Sequence, residues 1–256
     1  MMQYEKIDNM KIALIGYGKM GHIIENIAKS RGHEIVSIID MHNQEEFDSE
    51  NFKSADVAIE FTIPSNAEGN VRRCFEAGVP VVSGTTAWND RLPAMKDICD
   101  AGNGTLLWAS NFSVGVNIFK AVNRYLARMM NTFPQYTPRL VETHHIHKLD
   151  HPSGTAVTLA EELIEENERI TSWTEPEEGK EIGEDVLEID HIRSGEIPGI
   201  HTIIWDSEQD SISITHSAKT REGFAIGAVL AAEWLADKKG FRTIDEMFGD
   251  LTGGSK

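Results

Sequence analysis

"KIALIGYGKMGH" (residues 11–22) decides the fold. A β-branched apolar run ends at Ile15. Glycines follow at 16, 18 and 21, and the chain then enters an amphipathic pattern. A strand that runs through Gly-x-Gly-x-x-Gly into a helix is the opening turn of a dinucleotide-binding domain. The glycines allow a tight turn and let the backbone approach a pyrophosphate, and the helix N-terminus offers N–H groups to the phosphates. Alone, such a triplet says little, because glycine turns also serve packing. The next apolar run, "EIVSIID" (34–40), ends in Asp40, 19 residues beyond Gly21, where a carboxylate accepts from ribose hydroxyls. Gly16, Gly18, Gly21 and Asp40 are therefore expected to bind cofactor.

Further outward, "DVAIEFT" (56–62), "VPVVSG" (79–84) and "TLLWAS" (105–110) read as buried strands. Helical patterns lie between them, with Ile23, Ile24, Ile27 and Ala28 on one face of the first. This alternation predicts a Rossmann-like α/β domain, a parallel sheet with helices on both faces. Ligands of such sheets sit at the carboxyl ends of strands, which draws attention to "SGTTAW" (83–88) and "WASNFSVG" (108–115). Gly84, Thr85 and Thr86 would put small groups and hydroxyls beside a cofactor. Plain strand-to-helix turns with Ser and Thr caps are the competing reading.

After residue 113 the pattern changes. A long helix ("GVNIFKAVNRYLARMM") leads to a strand and then to a helix over about 154–169. The glutamate-rich "TSWTEPEEGKEIGED" (171–185) reads as an exposed loop, and "VLEIDHIRSG", "GIHTIIWDS" and "DSISITHSA" read as an antiparallel meander. From about 225, "AIGAVLAAEWLADKKG" returns to helix. The expected organisation is a dinucleotide-binding domain (1–113), an α+β domain with a mixed, largely antiparallel sheet (114–224), and a C-terminal helical segment (225–256) packing back on the first domain.

The chain has 41 acidic and 24 basic residues, a net charge of −17, which disfavours nucleic acid or anionic lipid as general partners. Only Cys74 and Cys99 are present, too few for a disulfide framework and in keeping with a reducing cytosol. No apolar run has the length of a membrane span, so a cytoplasmic location is expected.

Against that acidic background, "ETHHIHKLDHPSGTA" (142–156) concentrates four histidines and a lysine before a helix start. It could hold a metal, form a structural cluster, or receive an anion that also takes protons. Consecutive strand residues point to opposite faces, which is poor convergence for a metal, and no metal is expected. Ser153-Gly154-Thr155 heads a helix, where N–H groups and the dipole favour an anion, and Lys148 and the imidazoles add charge and transferable protons. A pocket for a carboxylate substrate that must be protonated is the favoured reading.

This segment resembles the signature of the dihydrodipicolinate reductases, E-x-H-H-x-x-K-x-D-x-P-S-G-T-A, and "GTT", "NFSVG" and "RSGEIPGIHT" resemble other family segments in the family's order. The resemblance implies NAD(P)H-dependent reduction of a cyclic dicarboxylate in lysine and diaminopimelate biosynthesis. It implies His144 as the acid/base residue, Lys148 as a proton donor, and His145, Ser153, Gly154 and Thr155 as binders of the dicarboxylate. It places Tyr17, Lys19 and Met20 with the glycines on the cofactor, together with Ala109, Ser110, Asn111 and Phe112. A homotetramer formed through the second domain's sheet is also implied. The chain departs from the family in its shorter glycine loop, in His151 where alanine is common, and in Met41 and His42 after Asp40, where several members carry an arginine. Asp40 with no following arginine leans towards NADH over NADPH. Two rivals remain: a semialdehyde-type dehydrogenase, which needs a nucleophilic cysteine, and a dinucleotide sensor, which has no use for the histidine and lysine cluster.

Overall fold

A computed structural model of the chain describes residues 9–177, 179 and 182–252. They form two units: one runs to Val114 and resumes at Glu222, and the other is Gly115–Arg221.

The first unit holds β1 (Lys11–Ile15), α1 (Lys19–Ser30), β2 (Glu34–Ile39), α2 (Glu50–Lys53), β3 (Val57–Glu60), α3 (Pro64–Ala77), β4 (Val81–Ser83), α4 (Leu92–Asp100) and β5 (Thr105–Trp108). The second begins with α5 (Val114–Met129) and continues through β6 (Thr137–His144), α6 (Gly154–Glu166), β7 (Ser172–Thr174), β8 (Val186–Arg193), β9 (Ile200–Asp206) and β10 (Ser211–Ser217). The chain then rejoins the first unit with α7 (Glu222–Leu235), β11 (Gly240–Arg242) and α8 (Ile244–Thr252).

The first sheet is parallel, in the order β11-β5-β4-β3-β1-β2. Its strands are buried on both faces, which is why they read as continuous apolar runs. One face carries α1 and α7, with Ile24, Leu14, Ile59, Val229 and Leu235 in a shared core. The other carries α3 and α4 over Ile15, Ala58, Val71 and Met95. Successive connections leave β1 towards β2 and leave β3 towards β4, so the strand order reverses between β1 and β3, and ligands of such sheets bind outside that point. The C-terminal segment is not purely helical: β11 extends the sheet beside β5, three residues too short to register as a strand pattern.

The second sheet runs β10-β9-β6-β8-β7, and it corrects two expectations. First, β8, β9 and β10 are not a meander. β6 lies between β8 and β9, parallel to one and antiparallel to the other, because its Leu140 belongs at the centre of the core with Leu187, Ile189, Ile203 and Trp205. Second, the glutamate-rich stretch is not all loop, since Ser172–Thr174 pairs parallel with β8 as β7. Part of that stretch, residues 178, 180 and 181, lies outside the described residues. α6 stops at Glu166, where the buried Asn167 donates its side-chain amide to the Ala127 carbonyl (2.8 Å). Among the described residues no helix is long and apolar enough to cross a membrane.

Candidate active site

At the end of β1, Gly16 has φ +90°, and a Cβ there would lie 2.1 Å from the Phe61 carbonyl oxygen just beyond β3. A Cβ on Gly21 would lie 2.4 Å from the Gly16 carbonyl oxygen. These two glycines are required by the protein's own backbone. Gly18 is different: it precedes α1, is exposed, and a Cβ would meet nothing within 4 Å. Among the described residues no side chain caps α1, so its first N–H groups are not taken up by a capping side chain, and the place of a Cβ on Gly18 beside them is open. That cradle fits a pyrophosphate.

The neighbouring loops are held from below by Glu60, which is fully buried. It accepts from Ser83 Oγ (2.6 Å) and Thr85 Oγ1 (2.9 Å) and also contacts the Thr62 hydroxyl. Thr85, expected on the cofactor, has its hydroxyl turned inward to Glu60 and its carbonyl occupied by the indole N–H groups of Trp88 and Trp108 (2.8 and 2.9 Å). Gly84 packs against the Phe61 ring, while Thr86 is exposed. Ala109 and Phe112 are buried, Ser110 is exposed, and the half-buried Asn111 accepts from the Ser113 N–H (2.9 Å). Tyr17 and Met20 are half-buried and Lys19 is exposed; the Tyr17 hydroxyl pairs with Glu25. Asp40 is exposed just after β2, and its Oδ1 accepts from the Met41 N–H (2.8 Å).

The second site grows from the carboxyl end of β6. Glu142 and His144, two residues apart, share the buried side of the strand, and the strand ends at His144. Residues 194–199 arch over that end: Ser194 N–H donates to the His144 carbonyl (2.9 Å) and Ile146 N–H to the Gly195 carbonyl (3.1 Å). Gly199 leaves room for the imidazole, since a Cβ there would lie 3.0 Å from His144 Nε2.

Glu142 is fully buried and organises the cluster. It accepts from the Ser153 backbone N–H (3.2 Å to each oxygen) and from Arg193 (3.2 Å). His144 Nδ1 lies 3.4 Å from it without hydrogen-bond alignment, and His201 Nε2 lies 3.7 Å away. Burial alone would raise the Glu142 carboxyl, but the His201 and Ser153 contacts outweigh it and bring it down to about 2. Burial pushes His144 the other way for a base, down to about 4, against the attraction of Glu142 and helped by the positive charges of Lys148 and Arg193. His144 is thus neutral at neutral pH, beside an ionised carboxylate.

Ser153, expected on the substrate, is already engaged. Its hydroxyl meets His201 Nε2 (3.1 Å) and accepts from Ala156 N–H to cap α6 (3.2 Å). Gly154 and Thr155 form the first turn of that helix. Lys148 Nζ reaches both Asp150 oxygens (2.9 and 2.8 Å), and Arg193 steadies the loop through the Lys148 and Asp150 carbonyls (3.3 and 2.7 Å). His145 lies beyond the strand end near His147, with ring centroids 6.0 Å apart, and its buried Nδ1 has no hydrogen-bond partner among the described residues. The sequence reading missed Glu142, Arg193 and His201. The two-residue spacing of Glu142 and His144 was the available signal for the first. The others sit in "RSGEIPGIHT", which only the folded sheet brings to β6.

Glu142, His144 and His201 have the composition of a metal group, but Arg193 already neutralises the carboxylate there. Burial raises both thiols, Cys74 well above its usual value and Cys99 to about 11, so neither cysteine is suited to nucleophilic semialdehyde chemistry.

Comparison with known proteins points one way. The family described as dihydrodipicolinate reductase, N-terminus, matches residues 10–112, and its C-terminus counterpart matches residues 115–248. A 4-hydroxy-tetrahydrodipicolinate reductase of Christiangramia forsetii is 45% identical over 242 residues, 94% of this chain and 99% of the relative. Its counterpart from Archaeoglobus fulgidus is 34% identical over 93% of this chain and 99% of its own. Among solved structures, a dipicolinate-bound dihydrodipicolinate reductase from Paenisporosarcina sp. TG-14 shares the fold, with a TM-score of 0.72 at 19% identity, covering 92% of this chain and 97% of that one.

Proposed function

Because the chain belongs to the dihydrodipicolinate reductase family, we infer that it reduces 4-hydroxy-tetrahydrodipicolinate to tetrahydrodipicolinate with a nicotinamide dinucleotide, and we propose the residues that do so. The net change is loss of water from the ring and gain of a hydride and a proton. The bound dihydronicotinamide supplies the hydride. Gly18 and the first turn of α1 would hold its pyrophosphate, and Asp40 a ribose.

The observation that carries the reading is the fold of residues 142–156, which brings His144, the Lys148 loop and the head of α6 around Glu142. Hydride addition to a conjugated imine leaves electron density that a proton must quench, and a nearby cation stabilises the transition state. Lys148, the ammonium at the site's edge, is assigned to proton delivery. His144, neutral and buried, is assigned to hydrogen bonding with the ring as charge develops. His145, Gly154 and Thr155 bind the carboxylates, while Ser153 positions the helix head and Glu142. Three further copies of the chain would complete a homotetramer. The exposed stripe Ile118, Val122, Tyr125 and Met129 on α5 supports association of this unit. The free, buried cysteines suit a reducing cytosol.

The test is kinetic. Lys148→Met should lower kcat by about 10²–10⁴-fold, the range of a positioned acid, with dinucleotide affinity unchanged. His144→Gln should lower kcat by roughly 10²-fold, as for loss of one donor to a developing charge. If kcat/KM instead falls as pH rises through 6 to 7 and His144→Gln abolishes that fall, His144 is the acid and this division of roles is wrong. Cofactor choice leans to NADH, since Asp40 repels a 2′-phosphate and the next two residues are Met41 and His42. A hundredfold kcat/KM advantage for NADPH would overturn that lean.

A further inference from the structure

Outside the Glu142 cluster, a second group of metal-ligating side chains stands at the outer end of the loop between β6 and α6. We propose that His151, Glu175 and His191 form a binding site for a divalent transition metal of the zinc type. The three come from separate segments: His151 from the loop itself, Glu175 from the residue after β7, and His191 from β8. The parallel register of β7 on β8 ends at Thr174 opposite Glu188, and from the next residue the Glu175 side chain reaches along β8 to His191.

Both histidines turn Nδ1 to one atom, Glu175 Oε1, at 2.8 and 2.9 Å. Their rings are stacked, with centroids 4.2 Å apart and planes at 16°. As a purely hydrogen-bonded arrangement, this requires both Nδ1 atoms to carry protons and one oxygen to accept both. A cation replaces the two protons at once. Around a tetrahedral zinc, ligand atoms at roughly 2.1 Å from the metal lie about 3.4 Å from one another, so the present spacings need to open by only about half an ångström. All three donor atoms already lie within 4.8 Å of one another. Three protein ligands leave a fourth position for water, and side-chain exposures of 48, 28 and 34% leave the ion a path from solvent.

The contrast with the first cluster strengthens the assignment. At Glu142 an arginine lies 3.2 Å from the carboxylate, and an incoming cation would have to compete with it. At Glu175 the partners are imidazoles, which can give up their protons to a metal. A bound ion would join the loop three residues beyond Lys148 to the β7–β8 edge, restraining the segment that carries the proposed acid.

The experiment uses untagged, metal-stripped full-length protein, titrated calorimetrically with Zn²⁺ and spectroscopically with Co²⁺. The wild type and His144→Gln should each bind a single equivalent, with the intense visible absorption of tetrahedral Co²⁺. His151→Ala and His191→Ala should each weaken binding by more than ~10-fold, as losses around a metal centre do, and Zn²⁺ should raise the Tm of the wild type but of neither variant. No binding by the wild type, binding indifferent to both substitutions, or binding lost in His144→Gln alone would overturn the proposal. None of these readouts depends on turnover, so the proposal can fail while the reductase reading stands, and the reverse.

Discussion

At residues 16–21 the first unit makes room by omission: two glycines let backbone touch backbone, and at a third no described atom lies within 4 Å of where a Cβ would stand. At Glu142 the second unit works by accumulation, with a buried carboxylate, an arginine, two histidines and a helix cap within a few ångströms. A pyrophosphate needs N–H groups and clearance, which backbone alone provides. A substrate that must be protonated needs charges held in a set relation, which only side chains from several strands provide. Substitutions should therefore damage the two regions differently.

The largest effect is expected at the charge cluster. Glu142→Ala strips the half-buried Arg193, the Ser153 N–H and two buried imidazoles of their shared carboxylate and should cost about 3–5 kcal/mol by denaturant unfolding, on the scale of breaking a buried pair from one side. Should it cost less than about 1 kcal/mol, the cluster is not the organising centre described above. In the glycine loop, Gly16→Ala should cost about 1–3 kcal/mol from its positive φ, with further loss from the clash with Phe61. Gly18→Ala sharpens the contrast within one loop. It should leave stability within about 0.5 kcal/mol and still weaken NADH binding, read by fluorescence titration. Equal stability losses at both positions would mean that Gly18, too, is kept for packing.

Acid should distinguish the regions as well. His144 is held near 4, below its ordinary 6.5, so the unfolded chain takes up its proton first and stability falls as pH drops from 6.5 to 4. Glu142 is held near 2, below its ordinary 4.5, and its contribution is present above 4.5 and lost between 4.5 and 2. Urea midpoints should therefore decline in two overlapping stages, and His144→Gln should remove only the upper one.

The same contrast explains what could be read from sequence. The glycine spacing, Asp40 and the strand–helix alternation are local, so the first unit's architecture was legible residue by residue. His144 and Lys148 were legible because a signature names them. Arg193 and His201 were not, because β8 and β9 come to flank β6 only when Leu140 takes the centre of the sheet. The meander reading failed for that reason: each strand was read correctly, but adjacency in sequence was taken for adjacency in space. Thr85 shows the opposite error, a hydroxyl that looks available in sequence and is consumed by the buried Glu60.

The return of α7 to the first unit has a consequence for the order of synthesis. Phe112 and the inner face of the parallel sheet are translated early, yet their cover, from Ala225 to Leu235, follows the whole of Gly115–Arg221. Gly227 meets Phe112 so closely that a Cβ would lie 1.7 Å from its carbonyl oxygen. At ribosomal speeds that seat stays empty for on the order of ten seconds, with Leu14, Ile24 and Ile59 lacking their lid in the meantime. The nascent chain thus passes through a stage at which a chaperone has something to hold. A chain released before Glu222 should expose this face and bind a hydrophobic dye that the complete protein does not.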